Sequence, residues 1–286
     1  MNTTLSSLTL TLPRQFAGAL TALAWSPDGI CLAAASSGGS VVLWDTRTGA
    51  CLFARQVVRE HLTALAWTGQ GRCLLLGSAR GTLAILHLAS GEIATSATFA
   101  HPITKIAASP NEHTGRFFVV AGPLLRIFTA GQTHPTTRRY ATSLIDAAWC
   151  PAGRSLAVLT RHGLVEVWDV AARSARVQMV LRNGPRCLAW DMTDQTLTVG
   201  TEQGTIQQYS FTRGGWESEY AVSRSPLATL MRGESGVIVQ SAQDTVLWSE
   251  HTLRALAHHV HTIALDPRGA TFAAACAGAV RVATLA

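Results

Sequence analysis

Leu20-Thr21-Ala22-Leu23-Ala24-Trp25 returns unchanged as Leu62-Thr63-Ala64-Leu65-Ala66-Trp67. Looser copies follow at Ile103–Ala108, Leu144–Trp149 and Arg186–Trp190. Their last residues, Trp25, Trp67, Ala108, Trp149 and Trp190, lie 42, 41, 41 and 41 residues apart. A fixed period near 41 marks one supersecondary unit stacked on copies of itself, and this length suits a unit of four strands.

Working outward from the first copy, Ala19–Trp25 reads as an inner strand ended by the turn Ser26-Pro27-Asp28-Gly29. Proline and glycine punctuate such turns because one presets φ and the other tolerates its positive range. Ile30–Ser36 is a second strand, Ser37-Gly38-Gly39 a tight turn, Ser40–Asp45 a third strand and Cys51–Val57 an outer strand. Third strands recur at Leu83–His87, Leu124–Phe128, Leu164–Asp169, Thr205–Ser210, Thr245–Ser249 and Ala279–Ala283. The last two inner strands are expected at Leu227–Arg232 and His261–Asp266. Short β-branched and aromatic runs cut by Gly, Pro and Asp favour strands throughout. The last copy ends on its third strand, so Leu5–Leu12 is expected to supply its outer strand and close the ring. An unpaired edge would otherwise invite aggregation. Residues 1–286 then form a single all-β domain, with 1–12 as the closing strand and 13–286 as seven blades.

Composition agrees with this reading. Hydrophobic residues make up 48% and charged residues 14%, as strands buried on both faces require. A chain this long hides roughly three quarters of its unfolded surface and needs no disulfide or metal staple. Its six cysteines include no Cys-x-x-Cys pair and are expected to be buried thiols. No uninterrupted apolar run is long enough to span a bilayer, and the N-terminus lacks the basic start of a secretory signal, so a cytoplasmic protein is expected.

At this point the chain resembles the WD-repeat family. Trp44-Asp45 and Trp168-Asp169 are the dipeptide that names it, and Trp25-Ser26-Pro27-Asp28-Gly29 is similar to the usual end of its inner strand. Pro151-Ala152-Gly153 and Pro267-Arg268-Gly269 are close variants. The resemblance spans the whole chain and implies a seven-bladed WD-repeat β-propeller. It also implies a hydrogen-bonded set of Asp, His, Ser or Thr and Trp inside each blade, and here the chain departs. Gly38, Arg80, His162 and Gln203 stand where the family usually has Asp, and Gly-His is absent before every inner strand. The internal polar network is therefore expected to be missing, leaving stability to apolar packing.

Catalytic signatures are absent. The sequence has no Gly-x-Ser-x-Gly elbow, no Gly-Lys-Ser/Thr phosphate loop and no His-Glu-x-x-His. Carboxylates are few and fall mainly in turns, so no paired acid and base is expected. Asp146 and His261 are the main polar exceptions on the inner strands. His259 and His261 would share a face of an extended strand, but two imidazoles need a third ligand to hold a metal. The expectation is no enzyme, no metal and no cofactor.

Arginine carries the stronger signal. The formal charge is +6, and of 23 basic residues only Lys105 is a lysine. One rim of a propeller bears the turns between second and third strands and the links from each outer strand to the next inner strand. Arg14, Arg59, Arg80, Arg138, Arg139, Arg161, Arg182, Arg186 and Arg224 fall there with His162, against Glu60, Glu202 and Asp244. The other rim holds most of the remaining acids. In WD-repeat proteins the first rim is the usual docking site for peptides, so the resemblance implies a ligand there, and the charge implies an anionic one.

The expected function is a non-catalytic scaffold or adaptor, a monomeric propeller within a hetero-complex. It would bind an acidic or phosphorylated segment of a protein partner through Arg80, Arg161, His162, Arg138, Arg139, Arg182 and Arg186. Trp216, outside both repeating tryptophan positions, is a further candidate anchor. The alternative is sequence-independent binding of a nucleic-acid backbone by the same arginines, which lack interleaved aromatics for base stacking. Arg138-Arg139-Tyr140 lacks the flanking Phe and Gly of paired-arginine phosphoinositide sites, so no membrane partner is expected.

Overall fold

The computed structural model of this chain describes residues 7–193, 195–234, 236–241, 244–249, 252–258, 260–276 and 279–285. Among them, the one helical segment is a short 3-10 turn at Glu112–Thr114. The chain divides into two compact units, residues 1–108 with 260–286, and residues 109–259.

The first unit contains β1 (Ser7–Thr11), β2 (Leu20–Trp25), β3 (Cys31–Ser36), β4 (Ser40–Asp45), β5 (Cys51–Gln56), β6 (Leu62–Trp67), β7 (Cys73–Ser78), β8 (Thr82–His87), β9 (Ile93–Thr98) and β10 (Ile103–Ala108). The second contains β11 (Phe117–Ala121), β12 (Leu124–Phe128), β13 (Thr136–Arg139), β14 (Leu144–Trp149), β15 (Ser155–Thr160), β16 (Leu164–Asp169), β17 (Ser174–Val180), β18 (Pro185–Trp190), β19 (Thr196–Thr201), β20 (Thr205–Ser210), β21 (Gly215–Ala221), β22 (Leu227–Gly233), β23 (Gly236–Ser241), β24 (Asp244–Ser249) and β25 (Thr252–His258). The chain then returns to the first unit with β26 (Thr262–Leu265), β27 (Thr271–Cys276) and β28 (Ala279–Thr284). These strands make seven four-stranded sheets, each consecutive in sequence except the last, whose order is β26-β27-β28-β1. Strand ends fall within a residue or two of the sequence expectation.

Register repeats as faithfully as sequence. Inner strands bulge at their second residue, between Leu20 and Ala22, Leu62 and Ala64, Leu144 and Asp146, and Pro185 and Cys187. Third strands also bulge against outer strands, beside the tryptophan between Leu43 and Trp44 and between Val167 and Trp168, and nearer the strand start between Leu83 and Ala84 and between Thr245 and Val246. A bulge bends its strand and increases local twist, which gives each sheet a twisted blade shape. Second strands lie deepest: every residue of β15 is buried, and all but the first of β3 and β7. Outer strands such as β5 and β17 face solvent.

Strand β1 completes the last sheet. It pairs antiparallel with β28 from Ser7↔Ala283 to Thr11↔Ala279 and buries Leu10 fully. Leu10 joins Trp25, Leu32, Trp44, Ala273 and Val280 in one core shared by the first and last sheets. The Trp44 indole, from the first sheet, donates to the Thr11 carbonyl at 3.1 Å. The expected closing strand is therefore present, shortened to Ser7–Thr11; Leu5 and Ser6 lie outside the described residues.

The tryptophans that mark the repeat also stitch neighbouring sheets. Trp25 Nε1 donates to the Ala264 carbonyl at 3.3 Å, Trp67 Nε1 to Ala24 at 2.9 Å and Trp190 Nε1 to Ala148 at 3.0 Å. In each case the acceptor lies on the inner strand of the preceding sheet, so a large apolar side chain is buried with its one polar atom satisfied.

The expectation that stability rests on apolar packing alone is corrected in the second unit. Glu166, 1% exposed in the middle of β16, accepts from Tyr140 Oη at 2.8 Å, Arg138 Nη2 at 2.7 Å and Gln178 Nε2 at 2.5 Å. Asp146 accepts from the backbone N–H of Ala147 at 2.9 Å and of Leu188, on the next inner strand, at 2.8 Å. A buried carboxylate persists only where donors replace its water. The polar network lies between sheets as well as within them.

Candidate functional site

Glycine builds the turns between second and third strands. Gly39, Gly81, Gly163 and Gly204 hold φ of 78°, 84°, 82° and 78°. A Cβ at these positions would sit 2.1 Å from the Val58 carbonyl oxygen, 2.2 Å from Phe99, 2.0 Å from Leu181 and 2.1 Å from Ser223. Only glycine fits, because the link leaving the outer strand is drawn onto the turn. Leu181 N–H donates to the Gly163 carbonyl at 2.9 Å, and Phe99 N–H to Gly81 at 2.9 Å. A hydroxyl at the end of the second strand organises the other side: Thr160 Oγ1 accepts from Leu164 N–H at 3.1 Å and Ser78 Oγ from Thr82 N–H at 3.0 Å.

This locking gathers the candidate side chains of the second unit. Arg161 and His162 form the exposed tip of the Gly163 turn, and Arg182 directly follows the Leu181 that the turn grips. The link runs on to Gly184, whose carbonyl accepts from Glu202 N–H at 2.8 Å, and Arg186 follows at the bulge of β18. Arg161, His162, Arg182 and Arg186 are all exposed. The Glu202 side chain lies over Gly184 and is the acid of this neighbourhood. Among the described residues no carboxylate pairs with Arg161, Arg182 or Arg186, whereas Arg213 pairs with Glu217 at 3.3 Å.

The other candidates stand apart. Arg139 is exposed at the end of β13. Arg80 lies in the first unit, at the tip of the Gly81 turn beside the His101 backbone. Arg138 turns inward and does not join the exposed set: its Nε lies 2.7 Å from Glu166 and its guanidinium 5.3 Å from the Tyr140 ring centre. Burial alone would lower its pKa, but the Glu166 carboxylate outweighs it and raises the value. Burial, with Glu166 close by, likewise pushes the Tyr140 phenol above its ordinary range. Trp216 is half-buried and packs edge-on to Tyr209, at 5.4 Å between centres, in a cluster with Trp190 and Phe211. Its register opposite Tyr209 on the neighbouring strand draws it into this packing.

Sequence reasoning missed Glu166. Its signal is a lone acid inside Leu164-Val165-Glu166-Val167-Trp168, an otherwise apolar strand. As for chemistry, both Asp146 oxygens accept backbone N–H groups, and His261 is exposed. The described residues hold no group of three or more His, Cys, Asp or Glu suited to a metal ion. His259 lies outside the described residues. No helix among the described residues is long and apolar enough to cross a membrane.

Known proteins share this architecture. The family model described as the anaphase-promoting complex subunit 4 WD40 domain matches residues 11–67. The crystal structure of the Cps50 (Swd1) β-propeller domain of Myceliophteria thermophila superposes with a TM-score of 0.80 at 16% identity, covering 98% of this chain and all of that one. No curated protein sequence matches the chain. Seven repeated four-stranded sheets and the propeller likeness along the chain make the fold a seven-bladed β-propeller, similar over residues 11–67 to a WD40 domain.

Proposed function

We propose that this chain is a non-catalytic interaction scaffold, a subunit of a larger assembly, that takes an acidic or phosphorylated segment of a protein partner on its arginine-bearing turns. The observation that carries this reading is the group Arg161, His162, Arg182 and Arg186, held around a glycine-locked turn with no carboxylate pairing its arginines among the described residues. The backbone beneath them is ordered in advance, so binding would order side chains only. Guanidinium forks bind carboxylate and phosphate with two parallel hydrogen bonds, and several in concert compensate for the weakness of any single exposed pair. Arg139 and Arg80 offer further exposed donors on the corresponding segments of their own sheets. A subunit role is supported by the matched family, whose description names a subunit of the anaphase-promoting complex.

Fluorescence anisotropy tests the reading. Labelled peptides rich in glutamate or phosphoserine are titrated beside a single-stranded oligonucleotide, at low and physiological salt. Saturable peptide binding that the double variant Arg161→Glu, Arg182→Glu weakens at least about tenfold supports it. Preference for the oligonucleotide, with affinity falling steeply as salt rises, transfers the arginines to nucleic-acid backbone binding.

A further inference from the structure

Arg173 is the one non-glycine residue with positive φ, 54°, among the described residues. It occupies the hairpin turn between β16 and β17, four residues beyond Asp169 at the end of the third strand. The equivalent residues of three other sheets are Gly49, Gly91 and Gly214, with φ of 74°, 69° and 68°. The turn itself is the same: Asp169 Oδ1 accepts from Ala171 and Ala172 N–H at 3.0 and 2.9 Å, as Asp45 Oδ1 does from Arg47 and Thr48 at 2.8 and 3.0 Å. This geometry calls for glycine, and a side chain there is held at a conformational cost. A strained residue of this kind points from an observed outlier toward a role.

The side chain borders a wide basin of about 590 Å³. Its other wall is the turn between β12 and β13, which spans seven residues, Thr129–Pro135, where the corresponding turn after β4 spans five. Gln132, Thr133, His134, Thr136 and Thr137 line it, and no carboxylate does. Among the described residues none of these five side chains, nor that of Arg173, is engaged in a hydrogen bond or ion pair. A guanidinium, an imidazole, an amide and threonine hydroxyls thus border one polar space, with Thr136 and Thr137 on opposite faces of β13. A carboxylate offers two acceptor oxygens, whereas a phosphate monoester offers three and carries close to two charges at neutral pH. The donor set fits the second.

We propose that this basin, on turns distinct from those bearing Arg161 and Arg182, is a binding site for a phosphate monoester, with Arg173 as its bidentate anchor. The site does not rest on the function proposed above.

Isothermal titration calorimetry with inorganic phosphate, O-phosphoserine, a phosphoserine peptide and its glutamate counterpart tests the proposal on the full chain. Arg173→Gly is the decisive variant, since it restores the residue that the turn favours and should leave the fold intact. The expected result is saturable binding of a phosphate-bearing probe that weakens at least about tenfold in Arg173→Gly and is unchanged in Arg161→Glu, Arg182→Glu. Equal affinity for inorganic phosphate and the phosphopeptide assigns the site to free phosphates; preference for the peptide assigns it to a modified partner. The proposal fails if no phosphate probe binds, if the glutamate peptide binds as well as the phosphopeptide, or if Arg173→Gly binds like the wild type.

Discussion

Trp67 Nε1 donates to the Ala24 carbonyl at 2.9 Å, from one inner strand to the inner strand before it. Trp25 and Trp190 repeat the bond with Ala264 and Ala148. The residues that make the repeat visible in the sequence are therefore the ones that fasten neighbouring sheets. Trp67→Phe keeps most of the apolar bulk but removes the donor and leaves the part-buried Ala24 carbonyl without it. A loss of about 1–3 kcal/mol is expected, read as a lower midpoint in urea with an unchanged slope.

Closure of the last sheet rests on a strand from the other end of the chain. Leu10 is fully buried between β1 and the first sheet. Leu10→Ala is expected to cost about 2–5 kcal/mol, the range for emptying a tight apolar site. Removing residues 1–12 exposes the edge of β28 and should lower the melting temperature further, with aggregation on heating. An unchanged melting temperature in a thermal scan would contradict the pairing of β1 with β28.

Glu166 and Arg138 link two consecutive sheets of the second unit at 2.7 Å. Glu166→Ala strands the Tyr140 hydroxyl and the half-buried guanidinium together, and about 3 kcal/mol of destabilisation is expected. Arg138 is 34% exposed, so Arg138→Ala should cost less than the loss of its buried partner. Chemical denaturation of both single variants and the double variant separates the pair's coupling from the cost of each truncation.

Tyr140 gives that network an alkaline signature. Its folded pKa is raised above the ordinary value of 10.0, because burial and the Glu166 charge oppose the phenolate. The protonated phenol is thus bound more tightly in the folded state. Its contribution is complete below the unfolded pKa and is lost as pH rises above about 10. The wild type should lose stability in that window more steeply than Tyr140→Phe, as urea midpoints between pH 8 and pH 11 would read.

How much of this was legible beforehand depends on the range of the interaction. Strands and turns are local: β-branched and aromatic runs bounded by turn residues such as Gly39 and Gly163 place Ser40–Asp45 and Leu164–Asp169 to the residue. The closing strand was legible because one copy of the period lacks an edge and one apolar segment lies outside the period. Arg138 was not, since it stands next to Arg139 in an exposed-looking run, and only strand register decides that one points to Glu166 and the other to solvent. The packing of Trp216 was hidden for the same reason, its neighbour Tyr209 being fixed by pairing across a hairpin. The strain at Arg173 could have been read by aligning the copies, where it falls on Gly49, Gly91 and Gly214.

Relief of that strain is separately measurable. Arg173→Gly should stabilise the fold by up to about 1 kcal/mol, or roughly 2 °C in melting temperature, since the left-handed region disfavours arginine. Gly163→Ala is expected to act in the opposite sense and more strongly, because its Cβ would meet the Leu181 carbonyl oxygen at 2.0 Å.

The exposed arginines around the Gly163 turn carry the functional account, and co-purification tests it most directly. The tagged chain is recovered from its native lysate with and without nuclease, beside Arg161→Glu, Arg182→Glu. The account predicts a stoichiometric protein partner that survives nuclease with the wild-type chain and is lost with the variant. Equal recovery by both chains, or recovery only of nucleic-acid binders that nuclease removes, would contradict it.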